Sequence, residues 1–243
     1  MIKGLIIETP PLDAYEQMAA DETLCETLPA QHILRFYNWK GSGVTFGYSQ
    51  RHAAVLAAVS AGASATRQSG SGGKAPPAMV RRPTGGGIVI HETDLTFSFI
   101  FPGPGVYFEP GKTYNRLHKS INSAYESAGV NFSLLDEKTK NYAVNDPVLD
   151  CFLKPVNMDI LYNGKKVLGG ALRKFGDRML YQASFQAGDA RGNAGFHRNI
   201  ILKALGGEFG LTWHTNGADS ETLEKIRILA RSKYAGAAWN ERI

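Results

Sequence analysis

The stretch that decides the fold covers residues 81–101 and has the sequence RRPTGGGIVIHETDLTFSFIF. It begins with two arginines and three consecutive glycines. Near its end, Leu95, Phe97, Phe99 and Phe101 occupy every second position. A period of two is typical of a strand with one buried face, because successive side chains of a strand point to opposite sides. The stretch therefore predicts a glycine-rich loop anchored to a half-buried strand.

Segments outside this stretch predict further strands and a few helices. Asn163-Gly164 lies between two apolar runs, which is the strongest short signal of a β-hairpin, and Asp13 is a suitable N-cap for a helix. Strands that cluster in sequence, with helices between the clusters, predict an α+β fold with a mixed, mainly antiparallel sheet packed with helices. The predicted strands are residues 33–39, 43–50, 88–90, 95–101, 159–162, 165–168 and 181–185, and the predicted helices are residues 13–28, residues 113–128 and a last segment through Leu223, Ile226 and Ala230.

The length and composition predict a single folded domain over residues 1–243. Hydrophobic residues make up 43% of the chain and charged residues 20%, which suffices for a core and is near the globular average. Residues 60–78, SAGASATRQSGSGGKAPPA, differ from the rest because they are small, polar and rich in glycine and proline. We expect this segment to be a flexible loop.

Charge and cysteine content narrow the class of protein. The net charge of +5 is spread along the chain rather than concentrated on one element, which argues against nucleic-acid binding. Cys25 and Cys151 form neither a disulfide framework nor a zinc-ligand pattern, as is usual in a reducing compartment. No apolar run reaches the ~18–20 residues that a membrane helix needs. We therefore expect a cytoplasmic protein without a membrane or nucleic-acid partner.

The triple glycine is the most unusual local feature of the sequence. Consecutive glycines expose backbone N–H groups and let a ligand lie against the main chain, and the two preceding arginines suit a carboxylate or a phosphate. The segment lacks the Gly-Lys-Ser/Thr ending of a Walker loop and the G-x-G-x-x-G pattern of a dinucleotide site. It predicts a ligand-binding loop of another kind.

RRPTGGGIVIHETDLTFSF resembles the signature of the lipoate-protein ligase and octanoyltransferase family, whose catalytic fold is shared with biotin protein ligase. Four other stretches resemble segments of the same family in the same order, namely LDAYEQMAADETL, LRFYNWKGSGVTFGYSQ, NMDILYNGKKVLGGALRK and KYAGAAWNERI. Together they span most of the chain. The resemblance implies a catalytic domain of the biotin/lipoyl protein ligase type.

The resemblance also implies which residues bind the acyl group. Its glycine segment supplies Arg82, Thr84, Gly85, Gly86 and Gly87 to the pocket. His91 is expected beside them, either near the ligand or as a structural histidine bonded within the strand turn.

The hairpin supplies the second half of the implied site. Lys166 matches the lysine of the family, and an ammonium on a rigid hairpin can stabilise negative charge that develops on a nearby oxygen. Asp159 could orient Lys166 through an ion pair, whereas Lys165 should point to the other face of the strand. Further residues are expected to keep the backbone open for the acyl chain, namely Gly169, Gly170 and Ala171.

Two chemistries share this fold, and Cys151 favours one of them. Cys-Phe-Leu-Lys-Pro, residues 151–155, resembles the nucleophile segment of a cysteine-dependent octanoyltransferase branch. A thiol becomes nucleophilic as thiolate, and a nearby ammonium such as that of Lys166 favours the thiolate. That branch typically has an arginine at the position of Gly87, whereas the Asn-Asp pair of the ligases is Met158-Asp159 here. An ordinary buried cysteine is the alternative for Cys151.

We therefore favour cysteine-dependent octanoyl transfer from acyl carrier protein to a lipoyl domain, with Cys151 and Lys166 as catalytic residues and no cofactor or metal. The resemblance implies acceptors of the glycine-cleavage H protein or dehydrogenase E2 type. One alternative is a lipoate-protein ligase that acts through lipoyl-AMP and uses ATP and Mg²⁺. Another is a non-catalytic lipoyl- or biotin-type binding module.

Overall fold

The computed structural model describes residues 1–28, 31–67, 77–103, 109–136 and 155–243, with the backbone alone for residues 62–67. These ranges contain strands, α-helices and one π-helical turn, Ala230–Tyr234. In chain order the elements are β1 (Ile2–Glu8), α1 (Ala14–Thr27), β2 (His32–Phe36), β3 (Gly43–Phe46), α2 (His52–Arg67), β4 (Ala78–Arg81), β5 (Val89–His91), β6 (Leu95–Pro102), α3 (Pro110–Ser127), β7 (Ser133–Leu134), β8 (Ile160–Tyr162), β9 (Lys165–Phe175), β10 (Arg178–Phe185), α4 (Ala194–Phe209), β11 (Leu211–Gly217), α5 (Ser220–Leu229) and α6 (Ala237–Asn240).

The strands form a large sheet and a small one. The large sheet has the order β11-β1-β2-β6-β10-β9-β8-β7. Its β1 runs parallel to β11 and β2, and its other neighbouring strands are antiparallel. The small sheet has the order β4-β3-β5, with β3 parallel to β4 and antiparallel to β5. The expected α+β fold with a mixed, mainly antiparallel sheet is confirmed.

Helices cover both faces of the large sheet, so β6 is buried on two sides. Phe97 and Phe99 pack in one cluster with Leu117 of α3, whereas Ile100 packs with Leu24 of α1 in another. The alternation in β6 was correctly identified, but the expectation of a half-buried strand was wrong. Polar residues on its second face are buried because α1 lies over them.

The predicted helix start and the predicted hairpin are both present. Asp13 caps α1 through a reciprocal capping box with Glu16. Asn163 and Gly164 both have positive φ, 50° and 75°, which is the requirement of a tight hairpin turn between β8 and β9. The hairpin is longer than expected because β9 continues to Phe175. Its residues 167–169 are buried.

The segment over residues 60–78, expected as a flexible loop, begins within a helix and ends at the start of a strand. Helix α2 extends to Arg67, and β4 begins at Ala78. The alanines of α2 favour a helix more strongly than its small and polar neighbours oppose it. Residues 68–76 lie outside the described residues, as do residues 29–30, 104–108 and 137–154. Among the helices of the described ranges, none is long and apolar enough to span a membrane.

Candidate active site

One cavity joins the triple-glycine loop to the hairpin lysine, as the sequence predicted. The empty space between its walls, with the solvent in its open mouth included, is about 460 Å³. We call one side the loop wall, which consists of Thr45, Arg82, Gly85 and His91. We call the other side the hairpin wall, which consists of Lys166, Gly169, Gly170 and Ala171 of β9.

Lys166 is held on the hairpin wall by a buried ion pair. Its Nζ lies 2.8 Å from Oδ2 of Asp159, and the two side chains are 5% and 0% exposed. The expected ion pair is therefore present, and Lys166 is not a solvated surface lysine. Lys165, by contrast, is exposed on the opposite face. Burial leaves the ammonium of Lys166 at the edge of the cavity with little solvent to screen it.

The two glycines of β9 make room for side chains of the protein itself. A Cβ added to Gly169 would overlap the Cε and Nζ of Lys166, and a Cβ added to Gly170 would overlap the ring of Tyr181. Lys166 and Tyr181 thus fill the space over these glycines, and both glycines line the cavity; that their backbone admits the acyl chain stays a prediction. Ala171 lines the cavity directly.

Arg82 binds the glycine loop rather than opening its fork to the cavity. Its Nη2 donates to the carbonyl oxygens of Gly85 and Gly87, at 2.9 and 2.8 Å. Its Nη1 donates to Thr45 Oγ1 at 2.8 Å. Arg81 is also fully buried and donates to carbonyls of the chain, including those of Tyr48 and Asn240. Both arginines therefore shape the loop.

Four predicted ligand residues lie behind the lining of the cavity. Thr84 donates to Gln182 Oε1 at 2.7 Å, and Asp159 reaches the cavity only through Lys166. Gly86 has a φ of 88° and approaches Gly47 so closely that a Cβ on Gly47 would overlap its carbonyl. Gly87 is the fourth, and its carbonyl oxygen accepts from Arg82. These four residues contact residues that line the cavity and hold them in place.

His91 is bonded on both ring nitrogens. Nε2 lies 2.8 Å from Thr45 Oγ1, and Nδ1 lies 2.8 Å from Asp94 Oδ2. Because Thr45 Oγ1 accepts from Arg82, its own proton is available to Nε2, which leaves Nδ1–H to donate to Asp94. The imidazole also stacks on Trp39 with the ring centroids 4.4 Å apart. This favours the structural interpretation of His91 over a role as a base.

Asp94 ends this chain of hydrogen bonds. Burial raises the pKa of its carboxyl, but the hydrogen bonds from His91, Thr96 and Ser184 outweigh burial and hold that pKa below its usual range. An ionised Asp94 fixes the tautomer of His91 and, through it, the orientation of Thr45. The polar side chains of the loop wall are therefore hydrogen-bonded to one another and to Oδ2 of Asp94.

Of the two cysteines, Cys25 lies within the described residues. Cys25 is buried in α1, and this burial raises the pKa of its thiol, so Cys25 stays protonated and unreactive. Cys151 lies outside the described residues. Within the described residues, no three His, Cys, Asp or Glu side chains come together as a metal site.

Several lining residues were not predicted from the sequence. Tyr37 and Gln182 both donate to Asp21, a fully buried carboxylate on α1 that also accepts from Arg35. A signal for Gln182 was present, because polar residues alternate with apolar ones in YQASF, residues 181–185. The other lining residues missed are Met18, Thr45, Val89, Thr96, Ala183 and Ser184.

Comparison with known proteins identifies the family. Residues 13–188 match the model of the lipoyl protein ligase A/B catalytic domain. The octanoyltransferase LipM of Lysinibacillus sphaericus is 30% identical over 164 residues, which cover 63% of this chain and 55% of that protein. LipM of Carboxydothermus hydrogenoformans is 28% identical, over 68% of this chain and 58% of its own. The chain thus spans little more than half the length of these curated relatives.

Solved structures of low sequence identity share the fold. Protein Ta0514, a putative lipoate protein ligase from T. acidophilum with bound lipoic acid, superposes with a TM-score of 0.74 at 18% identity over 100% of both chains. A lipoate-protein ligase A bound with ATP gives 0.73 at 19% identity over 99% of both chains. Since the family model covers most of the chain and the fold agrees, this protein belongs to the lipoyl protein ligase A/B catalytic domain family.

Proposed function

We propose that this protein transfers an octanoyl group from acyl carrier protein to a lysine of a lipoyl domain, through a thioester on Cys151. The observation that carries the proposal is the buried ammonium of Lys166 at the edge of a small cavity that Gly85 of the triple-glycine loop also lines. The LipM relatives are named octanoyltransferases, and a T. acidophilum ligase of the same fold is described with its E2 lipoyl domain.

The cavity suits a short acyl chain with a polar head. Met18, Val89 and Ala183 give it apolar walls, and burial of each methylene contributes about 0.8 kcal/mol. A thioester carbonyl at the hairpin wall would place its oxygen near Lys166. As that oxygen gains negative charge in the tetrahedral intermediate, a preorganised ammonium stabilises it more strongly than water does.

Transfer of the octanoyl group through a thiol needs no cofactor, because one thioester is exchanged for another and then for an amide. The thiolate of Cys151 attacks the acyl thioester, the octanoyl–cysteine bond forms, and the thiol of the carrier leaves with a proton. The ε-amine of the acceptor lysine then attacks the new thioester, forms the amide and returns the thiol. Only four residues separate Cys151 from Val156, whose N–H donates to Asp159 at 2.6 Å, and five residue steps reach at most about 17 Å. Covalent reach therefore permits Cys151 to approach Lys166.

A lipoate-protein ligase is the second candidate. Gly87 stands where the transferase branch typically has an arginine, and a ligase of the same fold is described with bound ATP. In that case the protein would use ATP and Mg²⁺ and make lipoyl-AMP, and Cys151 would not react.

Intact-mass measurement separates these candidates. We expect the protein to gain one octanoyl group from octanoyl-acyl carrier protein without ATP, and to pass it to a glycine-cleavage H protein or an E2 lipoyl domain. Cys151→Ser should abolish the adduct, whereas Cys25→Ala, the matched control at the buried cysteine, should retain it. Acylation of the lipoyl domain only with ATP and free acid, unaffected by Cys151→Ser, would establish the ligase. An absence of both reactions would indicate a non-catalytic binding module.

A further inference from the structure

A tyrosine of α3 lies behind the Lys166–Asp159 pair. The hydroxyl of Tyr114 donates to Oδ1 of Asp159 at 2.5 Å and accepts from the N–H of Gly170 at 3.2 Å. Its single proton and an acceptor site are both used in this way. The hydroxyl thus links the residue that precedes β8 to the middle of β9.

The two oxygens of Asp159 have separate partners. Oδ2 accepts from the N–H of Val156 at 2.6 Å and pairs with Lys166, whereas Oδ1 accepts from Tyr114. Because the carboxyl plane is fixed from both ends, Oδ2 is presented to Lys166 in one orientation. A carboxylate without the bond to Oδ1 would be free to rotate or to bind the ammonium with both oxygens.

Packing holds Tyr114 in place and keeps it protonated. Its ring stacks on His118 with centroids 3.9 Å apart, and His118 Nε2 lies 2.7 Å from the hydroxyl of Tyr181. Burial, and after it the charge of Asp159, raises the pKa of Tyr114 well above its usual range. Tyr114 is therefore a hydrogen-bond donor at every pH at which the protein is expected to work.

We propose that Tyr114 is a positioning residue for acyl transfer, which acts by fixing Asp159 so that the ammonium of Lys166 stays at the edge of the cavity. This inference rests on the proposed function for its effect on the rate, but not for its effect on Lys166. The lost hydroxyl of Tyr114→Phe removes the bond that fixes Oδ1, so the carboxyl can rotate and Lys166 is released from its fixed position.

The chain offers a matched control on the same helix. Tyr125 is a second tyrosine of α3, it is fully buried, and its hydroxyl bonds a ring nitrogen of His197 at 3.0 Å. Its ring packs against Phe185 and Phe132 instead of the Lys166 pair. Tyr125→Phe therefore removes a tyrosine hydrogen bond of the same helix without touching the proposed positioning contact.

The experiment measures Lys166 directly and the rate separately. Trace acetylation of the full chain is followed by peptide mass spectrometry, with exposed Lys165 as the internal reference. In Tyr114→Phe we expect the ratio of Lys166 to Lys165 labelling to change by about tenfold, since hydrogen bonds to charged groups are worth that much. In Tyr125→Phe we expect the wild-type ratio. The octanoyl transfer rate should fall about ten- to a hundredfold in Tyr114→Phe alone, at unchanged KM for the donor.

Each outcome decides the proposal. An unchanged labelling ratio in folded Tyr114→Phe would overturn it, as would an equal loss of rate in both variants, which would make Tyr114 merely structural. An altered ratio with no transfer by any form, wild type included, would support the positioning role and reject the proposed function instead. Asp159→Asn gives a second route to the same displacement and should reproduce the labelling of Tyr114→Phe.

Discussion

The loop wall and the hairpin wall of the cavity differ in what their polar atoms bind. On the loop wall, Arg82 donates to Thr45 and to two carbonyls, and His91 is bonded on both nitrogens. On the hairpin wall, Lys166 pairs with one carboxylate and its ammonium borders the cavity. The polar side chains of the loop wall thus bind mainly other groups of the protein, whereas the hairpin wall places the positive charge of Lys166 at the cavity.

This difference predicts two kinds of variant. Changes on the loop wall should lower the free energy of unfolding, because each removes a partner from a buried hydrogen-bond network. Changes on the hairpin wall should lower the rate, because they move or remove the group that faces the substrate.

The largest effect is expected from Lys166→Met. Loss of the ammonium should lower octanoyl transfer by about 10²–10³-fold, the range for removal of one oxyanion-stabilising group. The free energy of unfolding should also fall by about 3–5 kcal/mol, because Asp159 is left buried without its counter-charge. Transfer assays at saturating donor and urea unfolding measure the two quantities.

A double variant separates the two losses. Lys166→Met with Asp159→Asn removes the unpaired charge and should recover much of the stability, while the rate stays low. A rate that returned with the stability would mean that Lys166 acts only through folding, and the contrast between the walls would be lost.

The next effect compares two adjacent glycines of the hairpin wall. In Gly169→Ala the new Cβ displaces the flexible end of Lys166, so we expect a rate loss of about a hundredfold with little change in stability. In Gly170→Ala the new Cβ meets the buried ring of Tyr181, so we expect a loss of about 1–3 kcal/mol in the free energy of unfolding. Equal stability and rate effects in the two variants would contradict this assignment.

The sequence predicted the elements of the site better than their roles. The resemblance and the Asn163-Gly164 turn were enough to predict that Arg82 and Lys166 line one cavity, because the loop and the hairpin each have a local sequence signal. Local signals contain no information on contacts across the chain, so the sequence did not reveal that Lys166 fills the space over Gly169. For the same reason Tyr114, which lies 45 residues from Asp159 in the chain, was not predicted.

Some elements of the fold were not predicted from the sequence. β1 pairs parallel with β11 across more than 200 residues, and neither strand was predicted, since pairing of this kind leaves no local pattern. α4 was also missed, although its buried positions have helical spacing, so a local signal was present there; they are His197, Ile200, Ile201, Ala204 and Leu205. By contrast, the capped helix α1 and the aromatic strand β6 have strong local signals and were predicted.

A smaller effect is expected on the loop wall from Thr45. Thr45→Val removes the hydroxyl between Arg82 and His91, and the buried groups left without a partner should lower the free energy of unfolding by about 1–3 kcal/mol. The rate per folded molecule should stay within about threefold of the wild type if this wall is a scaffold. Thermal unfolding and transfer assays test this, with Thr45→Ser as the variant that keeps the hydroxyl. A rate loss that greatly exceeds the stability loss would place Thr45 or His91 in the chemistry.

The smallest effect is a pH dependence behind the hairpin wall. Burial, and after it the charge of Lys166, lowers the pKa of His118 to about 3. Between that value and the unfolded pKa of about 6.5, the unfolded chain binds a proton that the folded chain does not, so the free energy of unfolding should decrease as the pH falls, by at most about 1.4 kcal/mol per pH unit from this residue. In His118→Gln the amide keeps a polar contact with Tyr181 but does not titrate. Urea unfolding at pH 7 and pH 5 should therefore show a smaller difference in His118→Gln than in the wild type, and an equal difference would mean that His118 takes up its proton in the folded protein.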